Sequence, residues 1–169
     1  ARRLNPEVEY VPGDMREVCL EREFDAVVCF DSIDYMLSET DLAAAFATAH
    51  AHLRPGGVFM TYAEITCESF VEGRIRAIRK TGDDGSEIIF IEHDHDPDRT
   101  DSTMECGYIY LIRQAGLFRV EADHHLTGIF PEARWPALLE EVGFEAQALT
   151  ITVWDEAEEP IPTFIAIKP

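Results

Sequence analysis

Apolar residues along this chain fall into short unbroken runs separated by helical stripes. Val8-Glu9-Tyr10-Val11 predicts a short strand ending at Pro12-Gly13. Phe24 to Phe30 is a nearly continuous apolar run of the kind found in strands covered on both faces. Ser38-Glu39-Thr40-Asp41 predicts a helix start with a side-chain oxygen available to cap free amides, and Leu42, Ala45, Phe46, Ala49 and Leu53 repeat at helical spacing. Pro55-Gly56-Gly57 stops that helix and launches Val58 to Ala63 as the next strand, giving a β-α-β unit and hence a parallel sheet with a right-handed crossover.

Beyond Glu64 the pattern changes. Ile88 to Glu92, Met104 to Ile112 and Phe118 to Leu126 are strand-like runs with no strong helical stripe between them, which predicts an antiparallel excursion. Pro131 opens a helix with Trp135, Leu138, Leu139 and Val142 on one face, and Gly143 ends it. Ala146 to Val153 and Ile161 to Ile167 are two final strands joined by the acidic turn Asp155 to Pro160.

The 169 residues suit one domain, with no run approaching the ~18 apolar residues of a membrane span. The chain begins Ala-Arg-Arg-Leu-Asn-Pro, which reads like the middle of a domain and leads us to expect a fragment. Its formal charge of −19 comes from 33 acidic against 14 basic residues, and Lys80 and Lys168 are its only lysines. The acids are spread from Glu7 to Glu159, so they form no acidic tail, and so negative a body is a poor partner for nucleic acid. Dispersed acid with scarce lysine points to a halophilic protein, in which salt screens self-repulsion.

Cys19, Cys29, Cys67 and Cys106 show no Cys-x-x-Cys spacing; reduced, mostly buried thiols and a cytoplasmic setting are expected. Asp94, Asp96, Asp98 and Glu105 reproduce four positions of a calcium loop. Arg99 stands where glycine is needed, Pro97 stiffens the middle and the flanks read as strands, so an acidic solvated hairpin without metal is expected. His93 and His95 would then share one strand face without any metal.

Three motifs carry the chemistry: the acidic turn Pro12-Gly13-Asp14-Met15-Arg16, the strand Phe24 to Phe30 opening into Asp31-Ser32-Ile33-Asp34-Tyr35, and Leu53-Arg54-Pro55-Gly56-Gly57 running into a buried strand. In an open α/β sheet ligands collect beyond the carboxyl ends of strands, so Asp14 and the residues after Cys29 would face one crevice. This order of parts resembles the class I S-adenosylmethionine-dependent methyltransferases. Gly13-Asp14-Met15-Arg16, Cys29 to Tyr35 and Asp123-His124-His125-Leu126-Thr127 look like the branch containing nucleotide-sugar amine N-methyltransferases.

The resemblance implies an α/β fold over residues 1–169: the C-terminal two thirds of a Rossmann-like methyltransferase sheet, with an antiparallel insertion or lid at about 70–127 after the family's fifth strand. The family's Gly-x-Gly-x-Gly turn and the acidic residue after it do not occur in this sequence, so the piece is expected to bind cofactor poorly and to be inactive alone. The family's first strand would lie between the first two strands read here, and without it long pairing edges would be exposed.

For the site, the resemblance implies S-adenosylmethionine as cofactor, held by Asp14, Met15, Cys29, Phe30 and Asp31, with Asp14 on the adenine amino group and the Met15 amide on a ring nitrogen. Cys29 reads equally as a small buried hydrophobe, and Asp14 as a turn-former. Ser32, Tyr35, Tyr62 and His124 would bind the acceptor, with His124 and Tyr35 as catalytic candidates. Tyr62 stands where related sugar enzymes have an acid. Asp34 lies with Ser32 and Tyr35 just outside the strand, where a polar acceptor could be held; Asp34 and Ser38 read alternatively as helix caps, and at least one of His124 and His125 as a solvent-facing strand residue.

The expected function is in-line methyl transfer to a small polar acceptor, an amine nitrogen first, with no nucleic acid or membrane partner and a homodimer left open. A degenerate methyltransferase fold serving as an interaction protein is the alternative, and a nucleotide-binding oxidoreductase is disfavoured by the Gly-Asp-Met turn. The charge pattern makes its own forecast: the melting temperature, followed by circular dichroism, falls as salt is diluted from molar concentration. An unchanged value contradicts it.

Overall fold

Parallel pairing of β1 (Phe24–Cys29) with β2 (Leu53–Tyr62) organises the first of two sheets. The fold is taken from a computed structural model that describes residues 2–151 and 161–169. Between the two strands lie a 3₁₀ turn, Asp31–Tyr35, and helix α1, Glu39–Ala51. α1 starts where the Ser38 hydroxyl accepts the Asp41 amide at 3.1 Å. Its far end is held by Lys168, whose ammonium donates to the carbonyls of His50 (2.9 Å) in the last turn and of Leu53 (2.7 Å) at the start of β2.

β2 continues antiparallel to β8 (Ile161–Ile167), and β8 to β7 (Glu145–Ile151), giving the order β1-β2-β8-β7. Helix α2 (Arg134–Val142) precedes β7 and ends at Gly143, which takes the left-handed conformation (φ 110°) that a side chain resists. α1 and α2 bury Leu42, Phe46, Trp135 and Leu139 against Phe59 and Phe164 of the sheet. Trp135 stacks on Phe164 with ring centroids 5.4 Å apart, and burial of each large side chain stabilises by roughly 1.5–3 kcal/mol.

The second sheet is wholly antiparallel, with order β3 (Ile75–Thr81), β4 (Glu87–His95), β5 (Thr103–Gln114), β6 (Leu117–Gly128). The end of β6 lies hard against the segment that follows the 3₁₀ turn. Any side chain at Gly128 would run into the Met36 carbonyl and the Phe130 ring, while Ser102 donates to the Leu37 carbonyl at 2.7 Å. Glycine is therefore required there for close approach between the two sheets.

Several expectations are corrected. Val8–Val11 forms no strand: among the described residues no strand pairs with it, and Val8 and Val11 are exposed. Among the described residues β1 pairs only with β2 and is covered on one face, leaving Val28 62% exposed. Pro55-Gly56-Gly57 lies inside β2, at a break in register with β1 between Phe24 and Ala26, where Gly56 (φ 77°) donates to the Lys168 carbonyl. α2 begins at Arg134, after a turn at Glu132–Ala133. β3 was not expected, because Ile75-Arg76-Ala77-Ile78-Arg79-Lys80 is an exposed polar strand. Cys19 and Cys67 are exposed, and only Cys106 is buried.

The hairpin carrying Asp94 is not simply solvated either. Asp94 is buried in β4 and paired with Arg74 at 2.7 Å, while Asp96 and Asp98 accept backbone amides within their own turns, so the four carboxylates do not converge. Thr152, Val153 and the acidic turn Asp155 to Pro160 lie outside the described residues.

Candidate active site

The carboxyl ends of β1 and β2 point toward the second sheet, and a cavity of about 100 Å³ lies at that seam. Asp31, Asp34 and Tyr35 enter it from the 3₁₀ turn and Glu64 and Ile65 from the end of β2; Glu92, Cys106, Tyr108 and Thr127 line it from the second sheet. Four carboxylates thus surround one small space. The 3₁₀ turn puts Ile33 into the hydrophobic core and leaves Asp34 and Tyr35 on the cavity side.

One arginine offsets part of this charge. Arg76 of β3 donates to Glu92 at 2.7 and 2.8 Å and to Glu64 at 3.2 Å, bridging the second sheet to the end of β2. Burial nevertheless raises the Glu92 pKa, with Arg76 pulling the other way. Asp34 has no hydrogen-bond or ion-pair partner among the described residues. Burial, followed by the charges of Glu64 and Asp31, pushes its pKa well above 3.8. Burial likewise raises Cys106 to about 11, and Tyr108 upward.

At the rim Tyr35 and His125 are hydrogen-bonded through the phenol oxygen and Nδ1, and His125 packs edge-on to Tyr108 at 4.8 Å. The second ring nitrogen of His125 lies 3.1 Å from Asp123. Tyr62 is buried; its hydroxyl donates to the Asp31 carboxylate and accepts the Asp31 amide at 3.3 Å, and its ring stacks on Phe30 at 5.2 Å.

A second, apolar cavity of about 230 Å³ lies on the other side of the 3₁₀ turn, lined by Met15, Val18, Leu20, Phe24, Cys29 and Ile33 among others. Met15 Sδ and Cys29 Sγ are 4.0 Å apart there. Burial raises the Cys29 thiol to about 11, so it is neutral. His52 anchors this wall: one ring nitrogen donates to the Thr48 carbonyl at 2.7 Å and the other accepts the Leu20 amide at 2.8 Å.

The sequence-predicted residues therefore divide. Met15 and Cys29 meet at the apolar cavity; Asp31 and Tyr35 line the acidic one, with Phe30 and Tyr62 stacked between. Asp14 lies outside both linings, and the Arg16 side chain and amide, bonded to its carboxylate, lower its pKa to about 2. Ser32 is exposed on the turn. His124 is exposed and faces Glu105 at 3.3 Å, whereas His125 reaches Tyr35, because neighbouring residues of a strand point to opposite faces. Ser38 is the helix cap and Asp34 is not.

Sequence reasoning missed Glu64, Glu92 and Tyr108. One signal was available for Glu92: it alternates with Phe90 and Asp94, so all three share a face, and the acids on it need partners.

Comparison with known proteins gives the class. Residues 1–57 match the family described as a methyltransferase domain. The chain is 30% identical over 152 residues to dTDP-3-amino-3,4,6-trideoxy-alpha-D-glucopyranose N,N-dimethyltransferase of Streptomyces venezuelae, covering 88% of this chain and 62% of that protein. The chain thus spans under two thirds of this curated relative. The crystal structure of Streptomyces venezuelae DesVI superposes at TM-score 0.85 with 24% identity, over 99% of this chain and 68% of that one. The SAM-bound structure of CalS10, an amino pentose methyltransferase from Micromonospora echinaspora, superposes at TM-score 0.74 with 22% identity, over 93% and 63%.

Residues 1–57 thus match the methyltransferase class, and the chain as a whole shares the fold of the methyltransferase structures above. Within that class its resemblance is to the nucleotide-sugar amine branch. Among the described residues, no helix is long and apolar enough to cross a membrane.

The Arg76 bridge sets a stability test. Arg76→Met leaves Glu92 buried without its cation and lowers unfolding free energy by about 2 kcal/mol, below the ~3–5 of a fully buried pair because Arg76 is 43% exposed. The folded pKa of Glu92, raised already, rises further in the variant, so its destabilisation is greatest at neutral pH and shrinks as pH falls and Glu92 takes a proton. Urea denaturation at two pH values measures this; a loss independent of pH contradicts it.

Proposed function

We propose that the intact protein transfers a methyl group from S-adenosylmethionine to the amine nitrogen of an amino-sugar nucleotide or a close chemical relative. The observation that carries the reading is the acidic cavity at the seam of the sheets. Four carboxylates with one arginine between two of them hold an ammonium group favourably and repel a phosphate or carboxylate. The sequence relationship to an amino-sugar dimethyltransferase supports the same chemistry.

The residues present fit the cofactor. The apolar cavity suits a flat ring and a thioether chain, and it holds a neutral thiol with no cation among its lining residues to oppose a sulfonium. Met15 and Cys29 would hold the cofactor, which would supply an electrophilic methyl carbon for in-line displacement, while Asp14, Phe30 and Asp31 lie outside the lining of that cavity. Tyr35, Tyr62 and Ser32 orient the acceptor. Tyr62 fixes the Asp31 carboxylate through its hydroxyl, and His125 rather than His124 positions the Tyr35 phenol. The antiparallel sheet, about residues 70–127, acts as a lid that excludes water, and positioning of the two reactants supplies most of the rate. A cytoplasmic small-molecule enzyme is the setting this implies.

The test supplies intact protein with methyl-labelled S-adenosylmethionine and dTDP-3-amino-3,4,6-trideoxy-α-D-glucopyranose, and locates the label by NMR. Label on nitrogen is the expected result. Label only on oxygen or carbon, or transfer to none of a panel of amines, overturns the proposal.

A further inference from the structure

An amine that enters a carboxylate-lined cavity at neutral pH arrives as an ammonium ion, which has no lone pair with which to attack carbon. A proton must leave before transfer, and a group in the cavity has to receive it. The carboxylates there differ in how they are engaged. Glu64 and Glu92 are tied to Arg76, and Asp31 to Tyr62 through both its carboxylate and its amide. Asp34 stands apart: it lines the same cavity, and no described residue bonds to it.

Resting on the amine-acceptor reading above, we propose that Asp34 receives the proton that the acceptor ammonium gives up before methyl transfer. The N–H bond breaks, its electron pair remains on nitrogen as the attacking lone pair, and the proton becomes the O–H of the Asp34 carboxyl. After transfer that proton passes to solvent. No oxidant, metal or covalent intermediate enters the step.

The surroundings suit the role. Asp31 and Tyr35 approach Asp34 from its own turn, Cys29 from the end of β1, Glu64 from the end of β2, Glu92 from β4, and Cys106 and Tyr108 from β5. All are acids, and the neighbouring cation Arg76 is bound to Glu64 and Glu92. Removed from water by burial and then crowded by the like charges of Glu64 and Asp31, Asp34 holds its proton more tightly than an ordinary aspartate, which narrows the gap between its basicity and that of an amine. When an ammonium enters, its positive charge favours the carboxylate over the carboxylic acid, so Asp34 gives up proton occupancy to the buffer. Binding is therefore coupled to proton release.

The experiment is calorimetric titration of intact protein, saturated with S-adenosylhomocysteine, with the amino-sugar nucleotide named above, in buffers of differing ionisation enthalpy near neutral pH. Wild type is expected to release protons as the acceptor binds, Asp34→Asn to release markedly fewer, and Asp34→Glu to restore most of the release. Asp34→Asn removes a partly buried carboxyl with no hydrogen bond to lose, and its melting temperature at neutral pH is expected to match or exceed that of wild type.

Undiminished release in Asp34→Asn overturns the assignment to Asp34 and leaves the acceptor reading standing, as does binding by wild type with no release. Failure of wild type to bind the nucleotide overturns the acceptor reading and this proposal with it. Should Asp34→Asn fail to fold, the Asp34→Glu titration decides: release retained supports the proposal, and release absent overturns it.

Discussion

Arg76 reaches from an exposed strand across the seam between two sheets and binds Glu92 on one side and Glu64 on the other. A guanidinium offers five donors in a fixed fork, so one side chain can hold two carboxylates in a set relation where a lysine would supply only a point charge. Without it Glu92, 5% exposed, would be an uncompensated buried charge, and the second sheet would lose its polar tie to the end of β2. The cavity exists because the sheets are held at this separation. Gly128 sets the limit of approach at one end and Arg76 supplies the tie at the other.

The arrangement concentrates negative charge at one place in a chain that is already strongly acidic. Dispersed surface acids are screened by salt, but those of the cavity are screened much less. The cost of assembling them appears in the raised proton affinities of Asp34 and Glu92. On the proposed reading, a cation that fits relieves that cost. On the other side of the same 3₁₀ turn the lining is apolar, with the Cys29 thiol kept neutral. One five-residue turn, Asp31–Tyr35, thus separates two chemically opposite compartments, the arrangement that the proposed reaction would need.

Much of the scaffold was legible because its signals are local. Ser38 begins α1 and Gly143 ends α2 through single side-chain and backbone requirements, and the runs in β4, β5 and β6 have the length and alternation of strands. What pairing decides was harder to read. Val8–Val11 has strand composition without a partner, whereas Ile75–Thr81 has poor strand composition and becomes β3 because β4 offers it an edge. Met15 and Cys29, which line the apolar cavity, each stand in a short motif that could be read on its own. The acidic cavity could not, since Asp34, Glu64, Glu92 and Tyr108 come from four segments whose meeting depends on how the sheets dock. Strand parity alone separates His125 from His124, and the register that fixes it, Cys106 opposite His125, is a tertiary property.

The central claim is that the acceptor amine sits among the seam carboxylates while the donor occupies the apolar side of the Asp31–Tyr35 turn. A crystal structure of the intact protein with S-adenosylhomocysteine and an amino-sugar nucleotide tests it most directly. The account predicts the amine nitrogen within hydrogen-bond reach of Asp34 and the donor thioether near Cys29. An amine lying outside the seam, away from Asp34, Glu64 and Glu92, would contradict it.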